Sequence, residues 1–181
     1  WNFNEKWRLT LGARVTNEEK KRKGLQQTKP STVLDAPPVA GPDIYTNDTR
    51  SEADVSPTIS LTHFLRDGLM VYASASQGFK SGGYDFESGE GFDEETVDAW
   101  EIGVKTQLAG GAVELNAAAF HSEFSDLQVA AWNGVAFETG NAAEATTQGL
   151  EVDGRWLISD NWMLSGAVAF LDAEYDSFPG A

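Results

Sequence analysis

Cysteine is absent from the 181 residues, which removes disulfides, thiolate metal sites and a cysteine nucleophile. Histidine occurs only as His63 and His121. They lie on different segments, with no serine, cysteine or carboxylate at triad spacing, so the sequence points to no enzyme, no metal centre and no cofactor. Positive charge is scarce: 13 Lys+Arg stand against 28 Asp+Glu, a formal net charge of -15. That is the opposite of the basic surface a nucleic-acid partner needs. No apolar run approaches the roughly 18 residues of a membrane helix. Helical periodicity is missing too; DEETVDAW opens with helix-like acids, but the alternation beyond Trp100 favours a strand. None of this excludes a membrane. A barrel strand needs only about 9–11 residues, and every second one faces lipid.

What is present is a period of two. In Trp7–Thr16, Leu9, Leu11, Ala13 and Val15 share one parity, and Arg8, Thr10, Arg14 and Thr16 share the other. The alternation returns in Asp54–Phe64, Leu69–Gln77, Trp100–Leu108, Val113–Phe120, Leu150–Trp156 and, less cleanly, Trp162–Leu171. Each reads as a strand with one apolar and one polar face. Arg8, Arg14, Glu101, Lys105, Glu114, Glu151, Asp153 and Arg155 all fall on the polar parity. A soluble sandwich and a membrane barrel both demand that exclusion, so it does not choose between them.

The connections choose. Leu65–Gly68, Ala109–Ala112 and Ile158–Asn161 are tight turns rich in Gly, Asp and Asn. Alternating with them are long stretches, roughly Glu19–Ala53, Gly78–Thr96 and Trp132–Ala145, expected as loops. With antiparallel neighbours, all short turns lie at one end of the sheet and all long loops at the other. Outer-membrane barrels have that asymmetry, and a Greek-key sandwich has no reason for it. The expected fold is all-β: an antiparallel up-and-down meander of about seven strands. Because bacterial barrels use an even strand number from about 8 upward, it would be part of a larger wall, incomplete at both ends. Residues Trp1–Lys6 read as the tail and turn of a further strand. Trp7, Trp156 and Trp162 beside the tight turns, with Trp100 and Phe124 near the long loops, resemble two aromatic girdles.

LMVYASASQGFKSGGYD, ETVDAWEIGVKTQL, AAAFHSEFSDLQV, GNAAEATTQGLEVDGRWLISDNW and LSGAVAFLDAEYD, in that order, resemble the β-barrel of TonB-dependent outer-membrane receptors. The resemblance implies a transmembrane barrel of about twenty-two strands in the outer membrane of a Gram-negative bacterium, with residues 1–181 a partial barrel domain. It implies a plug domain in the lumen, power from the TonB complex, contact with outer-membrane lipid and lipopolysaccharide, and uptake of a scarce nutrient such as a ferric siderophore. No plug and no TonB-contacting segment is visible in these residues, so both would lie elsewhere. The polar parity would face the lumen through Arg14, Glu101, Lys105, Glu151, Asp153 and Arg155. Lys80, Tyr84, Phe86, Trp132 and Phe137 would stand on external loops as ligand contacts. The run from Asp85 to Asp98 carries seven carboxylates; its spacing is not that of an EF-hand, and a solvated, self-repelling loop is expected.

Two other readings fit the same residues. A passive porin predicts the same wall with no plug and no energy requirement. A soluble secreted β-sandwich with acidic binding loops predicts a monomer that needs no detergent. A polarity-sensitive label placed in turn at positions 8 to 15 of the intact parent protein separates them. We expect an apolar environment at Leu9, Leu11, Ala13 and Val15, and a wetter one at their even-numbered neighbours. The reverse order would reject the membrane reading.

Overall fold

The computed structural model describes residues 1–26, 44–85, 88–132, 134 and 137–178. The chain divides into two compact units, residues 1–16 with 54–181, and residues 17–53. The strands are β1 (Trp7–Gln26), β2 (Ile44–Arg66), β3 (Leu69–Lys80), β4 (Gly83–Tyr84), β5 (Gly91–Phe92), β6 (Glu95–Leu108), β7 (Val113–Trp132), β8 (Phe137–Ser159) and β9 (Trp162–Ser177). Seven of them form one sheet in the order β1-β2-β3-β6-β7-β8-β9, and β4 and β5 form a separate pair. Within the large sheet the strands follow one another in sequence order, as expected of a meander, with the β4–β5 pair inserted between β3 and β6. A sandwich needs a second sheet over the first; none is present among the described residues, and the soluble reading loses its basis.

The tight turns fall where the sequence placed them. Asp67-Gly68 joins β2 to β3, with Gly68 at φ 70°. A β-carbon on Gly68 would stand 2.5 Å from the Gln107 carbonyl oxygen, so only glycine fits that corner. A 3-10 turn at Ala109–Gly111 joins β6 to β7, and Asp160-Asn161 joins β8 to β9. Upstream of β1, the Asn4 side-chain oxygen accepts the amides of Lys6 (2.8 Å) and Trp7 (3.0 Å). This Asx turn folds Trp1–Phe3 back onto β1. The Trp1 carbonyl accepts the Leu9 amide at 2.8 Å and Phe3 donates to the Trp7 carbonyl at 3.1 Å. The sheet therefore extends past β1, as the reading of Trp1–Lys6 anticipates.

The other ends of the strands differ from expectation. β1 continues to Gln26, β2 starts at Ile44, β7 runs to Trp132 and β8 begins at Phe137. The stretch expected as a loop over Trp132–Ala145 is mostly strand, and much of the expected Glu19–Ala53 loop is too. Asn, Glu and Lys lower strand propensity in isolation, but cross-strand pairing overrides that weak preference. In the smaller unit, Lys20 pairs with Glu18 (3.5 Å) and Lys21 with Glu19 (2.6 Å) along β1. The acid-rich segment before Trp100 is strand from Glu95 onward.

The two faces follow from register. Rows such as Ala73↔Ile102↔Ala119↔Leu150↔Phe170 and Val71↔Val104↔Ala117↔Val152↔Val168 run across the sheet on the apolar side. They have no cover: Ile102 is 62% exposed and Phe170 68%. The other side carries the charges in matched pairs, with Arg155 Nη2 donating to Glu114 at 2.7 Å and Asn116 Nδ2 to Asp153 at 2.9 Å. Glu101, Lys105, Glu151, Asp153 and Arg155 lie on that side. The apolar band ends in a step. Gln77 and Asp98 are the first polar residues on β3 and β6 and share one row; on β7, β8 and β9 the first polar residues, His121, Gln148 and Asp172, lie one row closer to the tight turns.

Two aromatic rings on the charged face lie flat against cross-strand glycines. Tyr72 covers Gly103, where a β-carbon would sit 2.5 Å from the ring. Phe120 covers Gly149, where a β-carbon would also meet the Phe170 carbonyl oxygen at 2.3 Å. The ring replaces the missing side chain in packing the pleat. Gly149→Val in the full-length receptor should therefore destabilise the folded barrel by about 1–3 kcal/mol, the usual range for overpacking. Urea titration in bilayers measures it, and an unchanged midpoint would contradict the packing.

Candidate ligand-facing site

The buried residues cluster at one end of the structure. Among the described residues only Gly82, Gly83, Asp85 and Ala143 are buried, and all lie at the end opposite the tight turns. The connection from β3 to β6 was expected to be a solvated, self-repelling acidic loop. It is instead folded down and tied, because its acids have backbone donors to bind.

Asp85 carries most of that. It is 5% exposed. Its Oδ1 accepts the Ser88 amide (2.8 Å) and hydroxyl (3.1 Å), and its Oδ2 accepts the Thr139 amide of β8 at 2.8 Å. Charge-assisted bonds to several N–H groups offset the desolvation of a buried carboxylate. The Asp85 amide donates to Glu90 O at 2.8 Å and Gly89 N to Asp85 O at 3.0 Å, closing the turn between β4 and β5. The Phe92 ring lies on Gly83, leaving no room for a β-carbon there.

Two amide side chains complete the tie. Gln128 Nε2 on β7 donates to the carbonyls of Lys80 (3.2 Å), Ser81 (3.1 Å) and Asp93 (3.0 Å). Asn141 Nδ2 on β8 donates to those of Asp93 (2.9 Å), Glu94 (3.4 Å) and Asp126 (2.8 Å), and its oxygen accepts the Asp93 amide. Asp126 sits at φ 55°, where the β7–β8 register shifts. That bulge frees a carbonyl, and Asn141 satisfies it. Beyond the end of β6, the Gln128 amide finds Glu95 Oε2 at 3.0 Å.

Of the five residues expected as ligand contacts, the structure describes four. Lys80 ends β3 and its ammonium faces Glu95 Oε2 at 3.4 Å. Tyr84 is half-buried in β4, paired with Gly91. Phe86 lies outside the described residues. Trp132 and Phe137 are not on a loop: they close β7 and open β8 as a register pair, with ring centroids 5.4 Å apart. They pack on each other yet stay 58% and 62% exposed. Beside Trp132 is a shallow hollow of about 280 Å³ between β7, β8 and the β4–β5 turn, bordered by Glu90, Val129 and Glu138. Sequence reasoning missed Asp85, Gln128 and Asn141 as the organisers. Polar residues within an otherwise apolar LQVAAW run, and an Asn after Gly140, were the available signals. No group of three or more metal-ligating side chains occurs among the described residues.

A single-layer antiparallel meander, bare and apolar on one side, charged on the other, with turns at one end and a tied loop at the other, defines a wall segment of an outer-membrane β-barrel. Residues 1–181 match the family model described as TonB dependent receptor-like, beta-barrel, and the chain belongs to that family, whose barrels lie in the Gram-negative outer membrane. The metal-pseudopaline receptor CntO of Pseudomonas aeruginosa (strain UCBPP-PA14) is 28% identical over 172 residues, covering 95% of this chain and 23% of the relative. The pesticin receptor of Yersinia pestis is 30% identical over 111 residues, or 58% of this chain and 16% of that one. Among solved structures, the ferric yersiniabactin uptake receptor FyuA from Yersinia pestis superposes with a TM-score of 0.79 at 19% identity, over 98% of this chain and 26% of that one. The copper transporter OprC superposes with a TM-score of 0.73 at 17% identity, over 98% and 28%. The chain thus spans about a quarter of the length of these structures. The relatives are receptors and transporters, not enzymes.

Asp85→Ala removes the acceptor for three donors. Each orphaned buried group costs about 1–3 kcal/mol, and about 1.4 kcal/mol is tenfold in an opening equilibrium. In the full-length receptor, amide hydrogen exchange at Ser88 and Thr139 should speed up by about tenfold or more, with Val104 and Ala117 unaffected. Equal exchange in both proteins would show that Asp85 does not hold the loop.

Proposed function

We propose that this chain is part of the barrel wall of an energy-coupled receptor that takes up a scarce nutrient, with a ferric siderophore or similar metal chelate as the substrate class. The observation that carries this is the full-length family match on a sheet with the matching asymmetry of faces and ends. The names of the relatives, a metal-pseudopaline receptor and a ferric yersiniabactin uptake receptor, point to chelated metals. On this reading the bare face meets lipid, with lipopolysaccharide on the outer side. The stepped edge of the apolar band is what a level bilayer cuts across strands tilted by about 35–45°. Arg14, Glu101, Lys105, Glu151, Asp153 and Arg155 face the lumen and a plug domain supplied by the rest of the polypeptide, and the TonB complex acts through that part. The tied loop and the exposed Trp132–Phe137 pair meet the nutrient, with Lys80, Tyr84 and Phe86 as further contacts. A loop held in place loses less conformational freedom on binding, so more of the contact energy appears as affinity.

The test is uptake of radiolabelled ferric yersiniabactin and a panel of other ferric chelates by cells carrying the intact receptor gene. Uptake of at least one chelate should require the receptor and should stop when TonB is deleted or the inner membrane is de-energised. Receptor-dependent uptake that persists without TonB would favour the porin reading. Joint replacement of Trp132 and Phe137 by alanine should weaken chelate binding by about tenfold, the scale of an aromatic anchor.

A further inference from the structure

The apolar face of the sheet is corrugated. Across β2, β3 and β6 the register gives Ile59↔Ala75↔Trp100 and Leu61↔Ala73↔Ile102, two rows of large, small, large. Ala73 and Ala75 therefore floor a groove along β3, and the side chains of β2 and β6 wall it. Those two strands lie two strand spacings apart, about 10 Å. At the loop end of the groove is a hollow of about 390 Å³, bordered by Pro57, Ile59, Ala75 and Trp100. Gln77 and Asp98, a register pair, form its polar lip.

A second groove runs along β7, where Ala117 and Ala119 lie between Val104 and Ile102 of β6 and Val152 and Leu150 of β8. Its polar lip is closed on itself. His121 Nε2 meets Glu123 Oε1 at 3.1 Å, and Gln148 Nε2 donates to Asp172 Oδ2 at 3.3 Å. The lip of the β3 groove is open: among the described residues, neither the Gln77 nor the Asp98 side chain has a hydrogen bond or ion pair. A polar group left unsatisfied beside an apolar medium is costly. The β3 groove thus offers two things together, a channel shaped for one hydrocarbon chain and free acceptors at its mouth.

We infer that the β3 groove seats one acyl chain of lipopolysaccharide, held by the amide N–H or hydroxyl that lipid A carries where its chains approach the sugar. The inference rests on the lipid-facing reading of this face above and adds to it a place and a particular lipid. Lipid tails are as apolar as the groove, so the channel by itself gives little preference between lipids. Discrimination falls to the lip. No Lys or Arg borders the hollow, so a phosphate finds no counter-charge there. An ionised carboxylate only accepts hydrogen bonds, so Asp98 calls for a donor. At that depth the ester linkages of a phosphoglyceride offer acceptors alone, whereas the amide-linked, hydroxylated chains of lipid A offer donors. The hollow also lies at the end away from the tight turns, which in an outer-membrane barrel is the external side.

Native mass spectrometry of the intact receptor tests this, with the protein in detergent, divalent cations chelated, and lipid A or phosphatidylethanolamine added. We expect lipid A to stay bound at collision energies that strip phosphatidylethanolamine. Ala75→Leu fills the floor of the groove and Asp98→Ala removes the acceptor; each should lower the retained lipid A several-fold. Ala119→Leu fills the β7 groove instead and should leave it unchanged. Heat-modifiable migration of the barrel on gels checks that each variant is folded. Retention of lipid A that is equal in the parent and both β3-groove variants would overturn the proposal. So would equal retention of the two lipids, or an equal loss in Ala119→Leu, which would make the effect one of the apolar face in general. The polarity labels at Leu9, Leu11, Ala13 and Val15 are scored separately: if those sites are apolar while lipid A retention ignores the groove, the lipid-facing reading stands and only this seat is rejected.

Discussion

Every backbone amide and carbonyl in a single-layer sheet must find its partner in the neighbouring strand, since no second layer and, in a bilayer, no water can supply one. The rest of this structure depends on that constraint. It explains why the strands follow one another in order, why the turns at one end are as tight as Asp67-Gly68 and Asp160-Asn161 allow, and why the chain before β1 folds back to pair with it. It also frees the side chains from building a core. The large apolar residues of β6 to β9 are exposed because hydrocarbon, on the proposed orientation, is their solvent. A soluble protein rarely exposes an apolar patch beyond a few hundred Å².

The two ends of the sheet obey different physics. At the turn end, short local devices close the connections: glycine at positive φ in Gly68, Gly110 and Gly111, and the Asn4 side chain before β1. At the other end strands outrun their neighbours: β6 starts at Glu95 while β7 continues to Trp132. The unpaired edge so created must be satisfied by something else. Gln128, Asn141, Glu95 and the buried Asp85 do it with side chains, and three of the four buried residues among those described lie in the loop they bind. On the proposed function, the surface a ligand meets is then set before the ligand arrives.

Electrostatics divides the charged face as well. Over β7 and β8 opposite charges sit in register and cancel, as Glu114 with Arg155. Near the turns Arg8 and Lys105 stand over the rings of Phe64 and Tyr72 instead.

The sequence by itself determined the strand count, the meander, the two faces and the end at which the turns lie. All of these are local: alternation, Gly and Asp at corners, and the parity of charges such as Glu101, Lys105 and Arg155 can be read within ten residues. Strand length beyond the apolar band was not legible, because polar residues such as those of Phe137–Ala145 extend a strand only when a neighbour offers its hydrogen bonds. Nor was the tied loop. The Asp85–Thr139 bond spans 54 residues, and nothing near Asp85 marks it as different from the other acids around it. Only the tertiary structure, by bringing the β8 amides beside the β4–β5 turn, turned one carboxylate of seven from a repelling charge into an anchor.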